Sequence, residues 1–98
     1  MIIVSGRLRL RPGTRDRFLA LSADAMRQAR GTPGCHDFVV AADPLEEDRV
    51  NVYEAWASME ALHAFRQDGP GEDLSGLIAG AEVAEHAVVP ASPLDGSD

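Results

Sequence analysis

The sequence predicts an α+β fold of the β-α-β-β-α-β, ferredoxin-like kind, in which two helices cover one face of a four-stranded antiparallel sheet. Three observations predict it. Apolar residues alternate over residues 2–10, a second alternating run covers 49–56, and a helix-period apolar stripe follows each of the two runs.

In the first run Ile2, Val4, Gly6, Leu8 and Leu10 share a face opposite Ser5, Arg7 and Arg9, which describes a strand with one buried side. Pro12-Gly13 ends it. Thr14 is then placed to cap a helix over 16–30, with Asp16 near its positive end and Phe18, Leu21, Ala25 and Ala29 along one stripe. Arg27 and Arg30 suit its last turn, and Gly31 with Pro33 stops it. After Pro33-Gly34, HDFVVAA is a short strand, LEEDR a polar hairpin loop, and RVNVYEAW the third strand, with Val50, Val52, Glu54 and Trp56 on one face. Ser58 caps a second helix carrying Met59, Leu62 and Phe65 on one side. QDGPGED is a loop, residues 74–78 a short third helix weakened by Gly76, and EVAEHAVV the last strand. Residues 1–89 thus form a single domain, and 90–98, PASPLDGSD, read as a disordered tail.

A domain of 98 residues buries only about 60–70% of the surface its unfolded chain exposes, so its core is thin. The sheet face without helices would carry Ile3, Ser5, Arg7, Asn51 and Tyr53, too apolar for a purely solvated surface. Pairing of two such faces in a homodimer answers both problems.

The net charge of −7 repels phosphate backbones, and the nine basic residues are scattered, which argues against nucleic acid. All nine are arginine, as in a GC-rich bacterial genome, and the lack of lysine excludes Schiff-base chemistry. The single cysteine, Cys35, has neither a disulfide partner nor zinc-type spacing, so no metal site is expected and a reducing cytoplasm fits. MIIVSGRLRLRPG has no basic segment ahead of a long apolar run, and no window approaches a membrane span. Neither secretion nor a membrane partner is expected.

PG before the first helix, TPGC before the second strand and YEAWASMEAL across the third strand and second helix resemble the antibiotic biosynthesis monooxygenase family. The likeness runs over nearly all of residues 1–89. It implies a dimeric α+β barrel and, for some members, oxidation of aromatic polyketides or quinols by molecular oxygen with no cofactor. Other members degrade haem, act on signalling molecules or have no established activity, so the likeness implies fold more firmly than reaction. In the polyketide-oxidising members the tryptophan that Trp56 matches lines a pocket between sheet and helices. The asparagine four residues before it and the tyrosine six after it are replaced here by Val52 and Leu62. The haem-degrading members have asparagine and tryptophan where this chain has Gly6 and Phe65, and no histidine follows Arg66 until His86, which argues against haem as the substrate. The resemblance makes Val52, Leu62, Phe65 and Gly6 the candidate substrate contacts.

Trp56 can fill the core and line a pocket at once. Glu54 shares its face, and a carboxylate turned inward needs a partner, expected to be an arginine or a helix-end amide; a raised pKa would also suit it to proton abstraction. His86 shares its parity with Ala84 and Val88 and is the preferred base, as a sheltered imidazole able to accept a phenolic proton. His63 is placed at a solvent edge, His36 at a strand end, and Cys35 as a small buried residue. Arg7 and Arg9 are expected to form ion pairs at the dimer edge, the lesser alternative being a clamp for a substrate carboxylate. The expected function is a cofactor-independent monooxygenase of a small aromatic, polyketide or quinol-type compound; the alternative is a non-catalytic dimeric binding protein for a hydrophobic metabolite.

Overall fold

The alternation of residues 2–10 becomes β1 (Ile2–Leu10), followed by α1 (Arg15–Arg30), β2 (Cys35–Ala42), β3 (Arg49–Trp56), α2 (Met59–Asp68) and β4 (Ile78–Ala87) in a computed structural model. It describes residues 1–68 and 74–89. The tail expected over 90–98, and residues 69–73 of the expected loop, lie outside the described residues. The strands stand in the order β2-β3-β1-β4, every neighbouring pair antiparallel. This is the β-α-β-β-α-β sheet with two helices on one face.

Register places the apolar parities together. Val4 faces Glu54, Gly6 faces Val52 and Leu8 faces Val50, so the even positions of β1 and β3 form one continuous surface beneath the helices. Val4, Ala29, Phe38, Trp56, Leu62 and Phe65 make the larger core cluster; Leu10, Phe18 and Val50 make the smaller one at the other end. On α1 the buried positions are Phe18, Ser22 and Ala29. Ser22 therefore takes the place expected of Leu21 and Ala25, which are half-buried. Phe18 and Ala29 are buried as expected, and α1 lies against β2, where Val40 N–H donates to the Met26 sulfur at 3.4 Å.

Three local expectations change. The Thr14 hydroxyl does not cap α1 but donates back to the Arg11 carbonyl at 2.8 Å, closing the turn that follows β1. The third helix is a single 3-10 turn, Ser75–Leu77, as Gly76 would lead one to expect of a marginal helix. The last strand begins at Ile78 rather than residue 82 and ends at Ala87. By contrast Ser58 caps α2 as expected, its hydroxyl accepting the Ala61 N–H at 3.1 Å.

Two glycines are required by geometry. Gly6 sits in β1 at φ 154°, and a Cβ there would lie 2.0 Å from the Glu82 carbonyl oxygen, inside the backbone of β4. Gly34, at φ 87°, lets the turn before β2 close against Ala61 of α2. Its carbonyl accepts the Ala57 N–H at 2.7 Å, which ties the end of β3 to that turn and aims α2 across the sheet.

Candidate functional site

Three rows of side chains cross the helix-side face of the sheet. Cys35, Trp56, Ile2 and Ala87 form the first; Phe38, Glu54, Val4 and Glu85 the second; Val40, Val52, Gly6 and Val83 the third. The helices cover the β2 and β3 ends of these rows, whereas Val83, Glu85 and Ala87 on β4 are exposed. The site lies at this step from covered to open sheet.

Trp56 has no exposed surface and packs against Phe65 of α2, ring centroids 5.3 Å apart, while Phe65 meets Phe38 edge-on at 5.7 Å. Leu62, also fully buried, completes this wall. Two positions along β3 point to the same face, which brings the Trp56 indole N–H to Glu54, where it donates to Oε1 at 2.9 Å. The inward carboxylate thus finds an indole rather than the arginine or helix-end amide expected of it.

Burial pushes the Glu54 carboxyl above the usual range, and the nearby charge of Glu85 adds to this; the Trp56 hydrogen bond and the Arg66 charge partly offset it. Arg66, in the last turn of α2, bridges to Glu85 of β4, Nη1 to Oε2 at 2.6 Å. Both members of that bridge are about 40% exposed, so it holds weakly and can part. Chemically, the arrangement is a carboxyl with raised proton affinity, fixed by an indole and backed by a buried aromatic cluster, beside an apolar strip of half-buried Val52 and Gly6 and exposed Val83.

Trp56, Glu54, Leu62, Phe65, Val52 and Gly6 are brought together on this face. His86 is not. Its register partner is Ile3, on the opposite face, where it is exposed in the single chain rather than sheltered from water as expected. The parity shared with Ala84 and Val88 holds, but it is the parity that turns away from the helices. His63 and His36 are exposed. Burial raises the Cys35 thiol pKa, which keeps it protonated and a poor nucleophile. Arg66 and Glu85 were not singled out from sequence; Arg66 falls beside Phe65 on α2, and its register with β4 is visible only in the folded sheet. Among the described residues no group of three histidine, cysteine or carboxylate side chains is placed to hold a metal ion, and no helix is long and apolar enough to cross a membrane.

The sequence pattern described as antibiotic biosynthesis monooxygenase matches residues 1–70. An uncharacterized protein of Synechocystis sp. is 30% identical over 61 residues, a stretch covering 62% of this chain and 42% of that protein's length. A solved structure from Chloroflexus aurantiacus J-10-fl, provisionally named an antibiotic biosynthesis monooxygenase, is 30% identical, covers 94% of this chain and 96% of its own, and superposes with a TM-score of 0.78. A Nitrosomonas europaea structure provisionally named in the same way reaches a TM-score of 0.83 at 13% identity, covering 92% of this chain and all of its own. At that identity the likeness bears on fold alone.

Proposed function

The chain belongs to the antibiotic biosynthesis monooxygenase family, and from that premise we propose that it oxidises a small aromatic, polyketide or quinol-type compound with molecular oxygen, without a cofactor, using Glu54 as the base. The single observation carrying this reading is the raised proton affinity of a carboxyl held by the Trp56 indole at the edge of an open apolar floor.

Substrates of this class supply the electrons themselves. Removing a proton from an acidic ring carbon leaves a carbanion that passes one electron to oxygen; recombination and loss of a second proton as water convert CH2 and O2 into C=O and H2O. The protein need only bind, orient and deprotonate. Val52, Gly6 and Val83 offer the floor for the ring and Glu54 the proton acceptor, while Trp56 and Phe65, buried behind, hold Glu54 in place. Arg66, released from Glu85, is within electrostatic reach of the charge that develops. Oxygen uptake by the purified chain on anthrones and quinols, with the oxygenated product identified by mass spectrometry, tests the proposal. Binding without uptake across such a panel would sink it.

That outcome would favour the second reading, a non-catalytic binding protein for a hydrophobic metabolite, which the apolar Val52 and Leu62 support. A cytoplasmic location is proposed on the lone cysteine.

We also propose that the chain works as a homodimer through the sheet face that carries Ile3, Tyr53, Ala84 and His86. Tyr53 is 42% exposed there, in a thin-cored domain. Sedimentation at micromolar concentration should show two subunits, and Tyr53→Asp should shift the population toward one, because a charge would enter a desolvated contact. A compact, stable monomer of the parent would contradict the pairing.

A further inference from the structure

Arg7 and Arg9 of β1 and Arg49 of β3 share the sheet face away from the helices, and Arg9 and Arg49 are register partners. Like charges placed directly opposite destabilise a strand pair unless something neutralises them. Arg49 is neutralised by Asp43 at 3.6 Å and Glu46 at 2.7 Å, and Arg7 by Glu82 at 3.1 Å. Arg9 is exposed and makes no ion pair or side-chain hydrogen bond with the described residues. Within the chain Arg7 is therefore paired and Arg9 has no partner among the described residues.

Room for an anion exists beside it. The register of β1 with β4 slips between Arg9 and Leu10, and the β4 residue opposite Arg9 is Gly80, which has no side chain to fill the space beside the arginine stem. The result is a cleft of about 230 Å³ lined by the three arginines, Leu8, Gly80 and Glu82. That volume is below the range of about 300–1,000 Å³ usual for drug-sized ligands.

We propose that this cleft binds a small organic monocarboxylate, whose two oxygens take the free guanidinium edge of Arg9. A planar guanidinium matches a carboxylate with two parallel N–H···O bonds. One carboxylate is the natural complement because Arg9 alone of the three arginines lacks a carboxylate partner among the described residues. The site is independent of the proposed oxidation: it is on the opposite face from Glu54, and Arg9 is four residues, roughly 13 Å, along β1 from Ser5, the register partner of Tyr53. It therefore stands near the rim of a contact centred on Tyr53.

Calorimetric titration of the full chain with benzoate and acetate at low ionic strength tests this, since added salt screens such pairs. Parent protein should bind at least one of them, with affinity falling about tenfold or more in Arg9→Gln, a difference of about 1.4 kcal/mol. Arg17→Gln, an exposed change on α1, serves as the control and should bind like the parent. Arg9 is exposed, so its variant should keep the parent's circular dichroism and melting temperature. Equal binding by Arg9→Gln, or no binding of either anion by the parent, overturns the proposal. A shift of Arg9→Gln from two subunits to one on sedimentation also overturns it, because a carboxylate of a second copy would then be the natural occupant.

Discussion

Glu54→Gln should lower the saturated rate of oxygen uptake roughly 100-fold or more, the usual size of a lost general base, while anaerobic substrate binding stays close to that of the parent. His86→Gln should leave the saturated rate nearly unchanged, because His86 faces away from Trp56 and Glu54 across the sheet. The side-chain amide that replaces the Glu54 carboxyl still offers an oxygen to the Trp56 indole N–H, so the pocket wall keeps its hydrogen bond. Linkage strengthens the comparison. Burial raises the folded-state proton affinity of Glu54. Between the ordinary glutamate pKa of about 4.3 and the raised value, the native chain holds a proton that the unfolded chain has released. Stability therefore falls as pH rises through that window, and above it the cost is fully present. Glu54→Gln removes this cost, so at neutral pH the variant should be at least as stable as the parent, and a slower rate is not a folding defect. In the parent the saturated rate should rise with pH through the same window as the base ionises. Equal rates for the Glu54 variant and the parent would assign the proton elsewhere.

Trp56→Ala should cost about 3–5 kcal/mol in a denaturant titration, the range for removing a large, fully packed aromatic side chain. Trp56 is wholly buried, touches Phe65, and belongs to the same cluster as Leu62 and Val4. Its loss also strips the half-buried Glu54 of its hydrogen-bond donor. Trp56→Phe separates these effects, because it keeps most of the apolar volume and removes only the N–H. The indole bond holds the Glu54 proton affinity down, so Trp56→Phe should move the pH profile of the rate to higher pH. A cost under about 1 kcal/mol for Trp56→Ala would show that the side chain is not the centre of the core.

Most of the architecture was legible in the chain because β1 and β3 each have one strongly apolar parity. Ile2, Val4, Leu8 and Leu10 against Val50, Val52 and Trp56 fix the parity of the pairing, since a slip by one would expose both sets. That same parity placed Glu54 beside Trp56. An i,i+2 pair on one strand face can satisfy itself, so Glu54 needs no partner from a distant arginine or helix end. β4 was harder to read for the opposite reason. Ala81, Val83, Glu85 and Ala87 on one face scarcely differ in character from Glu82, Ala84 and His86 on the other, so composition does not say which face meets the helices. Only the pairing of Ile3 with His86 decides it, and that sends His86 outward. The Arg66–Glu85 bridge was hidden by the same ambiguity, since it needs Glu85 on the helix side. Thr14 satisfied every local requirement of a cap, yet its hydroxyl found the Arg11 carbonyl of the preceding turn first.

The chain has one tryptophan, and its indole nitrogen is bonded to the carboxyl on which the proposed chemistry depends. A pH titration of Trp56 fluorescence in the folded protein is therefore the most direct test. A single transition is expected, with its midpoint above the ordinary glutamate value of about 4.3, absent in Glu54→Gln. A midpoint at or below that value, or the same transition in Glu54→Gln, would contradict it.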